Sequence, residues 1–220
     1  MDDKYIDSIF LNALNIRDLG LFKGKIGIVV FLYNYYRYVD KKIYKIFADE
    51  LLKDLYDEIS SNSTVNFESG LSGIGWGIEY LVQNKFKKAN TDIILSDIDD
   101  VIMEININRM NDLSIKTGSI GILVYVYTRL NARCKNRIMP FNKEYRAEVL
   151  NFCQEKNKLL KDNFSKIITE EYINFCIKGE TQYSTNDILG VLMGSFRNKD
   201  EKFNIIEGNL SNYLKKMINR

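Results

Sequence analysis

The chain has 220 residues, 45% of them hydrophobic and 27% charged, which suits one ordinary domain with a full core. Its formal net charge of +2 marks neither a nucleic-acid binder nor a protein built for acidic partners. It contains no histidine, which removes the usual general base, the Ser-His and Cys-His nucleophile pairs, and the commonest zinc ligand.

The N-terminus, MDDKYIDS, is acidic and lacks the apolar core of a signal peptide. The longest apolar run, Ile26 to Tyr33, is far short of the roughly 18–20 residues that span a bilayer. Both features predict a cytoplasmic protein with no membrane partner. Cys134, Cys153 and Cys176 are odd in number and widely spaced, so they form neither a disulfide framework nor a CxxC pattern. They read as small core hydrophobes, with a three-Cys metal site as the alternative; the expectation is no metal and no cofactor.

In chain order, residues 3–14 read as a helix and 15–23 as a loop. Residues 25–39 follow as a helix that is apolar all round, hence buried on most sides. Residues 41–60 contrast with it: Ile43, Phe47, Leu51, Leu55 and Ile59 form one stripe, and charges occupy the rest, as in an outer helix. The alternation repeats with an apolar helix over 71–84 and a striped one over 91–109 (Ile94, Ile98, Val101, Ile105). A third apolar helix covers 119–131. Past the single proline, Pro140, helices are predicted over 142–161 and 164–178, the latter ended by Gly179. The basic stretch Arg129 to Lys166 reads as a solvated helix face rather than a polyanion site. Near the C-terminus either ILGVLMGSF or GNLSNYL could supply a fourth inner helix. Leu189 to Arg197 is preferred, with a final helix from about Lys202 to Ile218. No linker divides the chain, so residues 1–220 read as a single domain.

Three segments share one device: FKGKIGIVVFLY, FESGLSGIGWGIEYL and IKTGSIGILVYVY each carry two glycines three apart before a bulky run. The pairs are Gly24 and Gly27, Gly70 and Gly73, and Gly118 and Gly121, recurring at intervals of 46 and 48 residues. Such a period means a repeat architecture. Gly is costly in a helix, so each pair implies an unusual backbone angle or a close approach. Ser69 and Thr117, directly before the first glycine, are N-cap candidates, whereas Lys23 is not.

These segments resemble the glycine-rich repeats of the lanthionine synthetase C-like family, over roughly residues 15–130 and more faintly beyond. The resemblance implies an all-α fold, an α/α toroid with an inner ring entered through Gly-x-x-Gly loops and an outer ring of amphipathic helices. A full ring has six or seven hairpins; this chain holds three to four at its period, so the toroid is expected to be partial or open, about half a barrel. Catalytic members cyclise peptides through thioether bonds with a zinc held by two cysteines and a histidine. Here no histidine exists and no cysteine sits in a matching motif, so the resemblance implies a copy without the zinc chemistry.

The glycine loops should gather at one end of the inner helices, where backbone N–H groups and positive helix ends suit an anion or a peptide carbonyl. Asp18, Lys23, Lys25, Glu68, Ser69, Ser72, Lys116 and Thr117 lie there; packing, capping and solvation are the plainer roles for each. Trp76 is either core or a stacking platform in the mouth. Glu79 shares its helix face and is the best single candidate for a functional acid, unless it pairs with a cation from another helix. No nucleotide-binding glycine motif is present.

The reading is a zinc-free accessory that binds a peptide or protein partner in peptide modification. The alternative is a zinc-independent enzyme using Glu68 and Glu79 at the toroid mouth. The C-terminal apolar face (Phe203, Ile205, Ile206, Leu210, Tyr213, Leu214, Met217) predicts either a two-fold dimer or a last helix folded back over the open flank.

Overall fold

A computed structural model describes residues 3–60, 63–132, 139–179, 181–196 and 204–218. All regular elements among them are helical: α1 (Asp3–Ala13), α2 (Lys25–Val39), α3 (Lys42–Glu58), α4 (Leu71–Gln83), α5 (Thr91–Ile94), α6 (Ser96–Met103), α7 (Ser119–Asn131), α8 (Lys143–Lys156), α9 (Asn163–Lys178), α10 (Thr185–Ser195) and α11 (Asn209–Ile218), with short 3-10 turns at Ile107–Arg109 and Asn157–Leu159. Among the described residues no helix is long and apolar enough to cross a membrane.

The all-apolar segments are the inner helices. Residues 25–35 of α2, 71–81 of α4 and 119–130 of α7 are buried without interruption. Each large side chain withdrawn this way stabilises by about 1.5–3 kcal/mol. The outer helix α3 packs along α2 through Tyr44, Ala48, Leu51, Leu52 and Leu55. Its buried stripe is thus rotated from the expected one, and Ile43 is exposed.

The expected outer helix over 91–109 is broken. Asn90 caps α5, and Leu95 then leaves helical geometry (φ −104°, ψ 5°) before α6 begins. Leu95, Ile98 and Ile102 are buried, while Ile94 turns outward. Farther on, Asn142 and Asp162 cap α8 and α9, and Ser184 with Asp187 forms a reciprocal capping box on α10. Gly179 ends α9 in the left-handed conformation (φ 68°), as the sequence predicts.

The glycine pairs answer close approach rather than backbone angle. The helix-entry glycines Gly24, Gly70 and Gly118 have ordinary extended φ values of −95°, −111° and −105°. The second glycine of each pair abuts a carbonyl six residues back. A Cβ on Gly73 would stand 2.0 Å from the Phe67 oxygen, and the same contact recurs at Gly27 with Leu21 and at Gly121 with Ile115. The glycines themselves are the N-caps, without a side-chain cap bond, so Ser69 and Thr117 are not caps. The loop closes on its own helix instead: Lys25 N donates to Asp18 O (2.8 Å), Leu71 N to Thr64 O (2.8 Å) and Ser119 N to Asp112 O (2.9 Å).

Adjacent loops are joined by backbone bonds. Leu21 N and Phe22 N donate to Glu68 O, Phe67 N and Glu68 N donate to Lys116 O, and Ile205 N donates to Phe22 O. A fourth loop, residues 204–208, therefore stands beside the first, giving the spatial order fourth, first, second, third. The helix that follows this loop is α11, which corrects the preference for Leu189 to Arg197: a Cβ on Gly190 or Gly194 of α10 would meet nothing within 4 Å, so neither marks a close approach. Arg197, Lys202 and Phe203 lie outside the described residues. α11 packs on α2 and α10, with Ile205, Ile206, Leu210 and Leu214 buried and Tyr213 and Met217 half-buried. The last helix folds over the flank of the first hairpin, and α9 and α10 bridge from α7 to α11. The result is a partial α/α toroid.

Candidate functional site

The residue two before each helix-entry glycine is Phe22, Glu68, Lys116 or Ile206, and Lys116 stands where the four loops meet. Its ammonium lies 2.6 Å from Glu207 Oε1 of the fourth loop and 3.3 Å from Glu68 Oε1 of the second. It also sits 5.4 Å from the centre of the Phe22 ring and 5.7 Å from that of Phe196. Burial draws the ammonium down, but the Glu207 and Glu68 carboxylates outweigh that and hold it above its ordinary value. A charged hub thus occupies the centre of the mouth.

Lys23, Ser69 and Thr117, one residue before the glycines, are exposed around this hub. Ser69 donates to Asn66 Oδ1 and Thr117 to Asp112 Oδ2 (2.6 Å), so both brace their own loops. Asp18 accepts from Gly20 N. Ser72 is fully buried and donates to Val65 O, and the buried Lys25 pairs with Glu58 at 2.6 Å. Trp76 is fully buried, stacked on Tyr80 and edge-on to Phe67, so it takes the core position rather than the platform.

Glu68 and Glu79 do not share a site. Glu68 precedes α4, whereas Glu79 lies roughly 12 Å along it at 1.5 Å per residue. Glu79 is buried and accepts from Arg129 Nη1 (3.0 Å) and Gln83 Nε2 (3.2 Å). The guanidinium also reaches Asp99 Oδ2 through Nη2 (2.5 Å), Thr91 Oγ1 through Nη1 (3.3 Å) and the half-exposed Asp92 (3.6 Å). Tyr125 donates to Asp99 Oδ1 at 2.5 Å. A third helix glycine, Gly75, makes room for the Tyr125 ring: its Cβ would meet Tyr125 at 2.5 Å. Burial pushes the Asp99 carboxyl above its ordinary range against the pull of Arg129 and Tyr125. A cleft of about 290 Å³ lies over this cluster, lined by Asp92, Asp99, Asp100 and Arg129 among others.

Sequence reasoning singled out Glu79 and missed Arg129, Asp99 and Tyr125. The available signal was Arg129 on an otherwise apolar helix, four residues after Tyr125 and so on the same face.

The inner helices, their glycine entries and the loop-to-loop ladder define a helical toroid. A family model for lanthionine synthetase C-like proteins matches residues 15–174, most of the chain, and the chain belongs to that family. The match contains the first three glycine loops and ends within α9, before the fourth loop. No curated protein matches the chain.

The residues present do not fit the zinc that the resemblance implies for cyclising members. With no histidine, a set of two cysteines and one histidine cannot form. Cys153 is buried on α8, where burial pushes its thiol up and disfavours the thiolate a metal needs. Cys176 on α9 is exposed, contrary to the expectation of a core cysteine, and Cys134 lies outside the described residues.

Proposed function

We propose that this chain is a zinc-free member of the family that binds a peptide or protein partner in peptide modification, working in the cytoplasm as an accessory rather than a cyclase. One observation carries the reading: the acids and cations that could have done chemistry are bound to one another. Glu79 is buried against Arg129, Glu68 and Glu207 hold Lys116, and Lys25 holds Glu58. None of the inner helices α2, α4 and α7 carries a thiol or an imidazole. A toroid whose inner helices carry neither thiol nor imidazole still presents its loops and grooves to a partner.

The test is equilibrium binding of a fluorescent peptide carrying dehydroalanine and cysteine, followed by anisotropy with and without EDTA. Saturable binding that EDTA leaves unchanged is expected. Binding that requires added zinc, or none at all, overturns the proposal.

The enzyme reading has one observation on its side, and it moves the site. Asp99, with its carboxyl raised by burial, opens on the cleft beside Arg129, and a perturbed acid in a cleft is where catalysis is sought. The alternative zinc-independent acid is therefore Asp99 rather than Glu68 or Glu79. Chain-dependent turnover lost in Asp99→Asn would select it.

A further inference from the structure

The second hairpin lacks a full-length outer helix. α3 runs for 17 residues beside α2, whereas α4 is backed only by the four residues of α5 and the eight of α6. The break leaves a groove of about 530 Å³ on the outside of the ring, between α3 and α5. Its floor is Leu52, Ile78, Leu81 and Val82. Its walls end in Tyr56 and Ile94, which are 40% and 37% exposed. That volume is in the range of ligand-sized clefts.

We propose that this groove docks an amphipathic helix of the partner, apolar on the face that enters and acidic along the flank that meets Lys88. The proposal rests on the accessory reading and names the surface and the chemistry it selects. The charge of the lining gives the sign: it contains two lysines and no carboxylate. Lys87 is already held by Asp49, but Lys88 is exposed and has no ion-pair partner among the described residues. An acidic flank would supply it.

The walls give the conformation. The backbones of α3 and α4 are hydrogen-bonded within their own helices, so an extended peptide would bring N–H and C=O groups onto a floor with no backbone partner. A helix satisfies its own backbone and presents a row at i, i+4 and i+7 that a groove between helices accepts. The apolar floor supplies affinity, and the lysine on the rim fixes the direction in which the helix lies.

The probes are three fluorescent alanine-rich helices of about 18 residues, a length that holds helix in water. One carries leucine at i, i+4 and i+7 with glutamates on one flank. The second has lysines in place of the glutamates, and the third is a scramble of the first. Anisotropy should show the acidic helix binding saturably and about tenfold tighter than either of the others. Ile94→Glu and Tyr56→Glu, at exposed positions and checked for folding by circular dichroism, should each weaken it by about tenfold or more. Lys88→Glu should invert the preference for acidic over basic flanks.

Equal binding of the scramble, unchanged affinity in the wall variants, or no saturable binding would overturn the proposal. So would self-association of the chain that Ile94→Glu abolishes, which would assign the face to a second copy. The two readings fail separately. If Ile94→Glu still binds the dehydroalanine peptide as the parent does, the groove assignment falls and the accessory reading stands. If the chain forms thioethers, the accessory reading falls whatever the groove binds.

Discussion

The Lys116 ammonium lies 2.6 Å from the Glu207 carboxylate, tying the third glycine loop to the fourth across the mouth of the toroid. Glu207 arrives from the far end of the chain, beyond the segment matched by the family. Its side chain is only 8% exposed, so this pair is better shielded than an ordinary surface ion pair.

Glu207→Gln should lower stability by about 1 kcal/mol at neutral pH, the upper range for a partly exposed pair. The pH dependence has a definite sign. Lys116 has its folded-state pKa raised, so the stability it contributes is present below its unfolded value, about 10.4, and is lost as pH rises through the folded one. Urea unfolding of the parent and Lys116→Met should therefore differ at pH 7 and converge in strongly alkaline solution. A difference unchanged in alkali would mean that Lys116 contributes by packing on Phe22 and Phe196 alone.

Two glycines should respond in opposite directions. Gly73→Val forces a branched side chain against the Phe67 carbonyl and should cost more than about 2 kcal/mol, read as a large fall in the thermal midpoint. Gly190→Ala meets nothing within 4 Å and lies in the helix α10, so it should gain roughly 0.5–1 kcal/mol. Equal effects would contradict the assignment of the fourth loop to Gly208 rather than to α10.

Much of this was legible in the sequence because it is local. The 46- and 48-residue intervals, the all-apolar inner helices and the Gly179 terminator follow from spacing and residue type. The fourth loop was half-legible: Gly208 stands in register, but Ser211 replaces the second glycine, so a search for pairs favours Gly190 and Gly194 instead. The register of α3 goes with Phe10 of α1, which lies against Tyr44 and Phe47, and the break at Leu95 with the packing of α5 and α6 on α4, which buries Leu95, Ile98 and Ile102. Neither is a property of one helix. The Arg129 cluster was illegible for the same reason, since Glu79, Asp99 and Arg129 meet only once three helices are assembled.

Removing the cation from that cluster should be far more damaging than removing one acid. Arg129→Met leaves Glu79 and Asp99 buried without their partner and should cost about 3–5 kcal/mol. Glu79→Gln keeps Asp99 on the guanidinium and should cost less. Chemical denaturation of the two variants side by side checks the order, and the reverse order would mean the cluster is anchored by Glu79.

Asp99 adds a pH signature. Burial raises its folded-state carboxyl above the ordinary 3.8, so its contribution to stability is greatest below that value and declines as pH rises through the folded one. The cost of Asp99→Asn should accordingly shrink as pH is raised from the acid side toward neutrality. Unfolding free energies measured across that window decide it; a cost that grows with pH would mean that Arg129 and Tyr125 outweigh burial.

The most direct test of the central claim is turnover. A peptide carrying dehydroalanine and cysteine is incubated with the purified chain in the presence of added zinc, and loss of free thiol is followed by alkylation and mass spectrometry. The account predicts thiol loss at the rate of buffer alone, while the same peptide binds saturably. Thiol loss that scales with the chain, yields the thioether and disappears in a Cys→Ser or Asp99→Asn variant would contradict it.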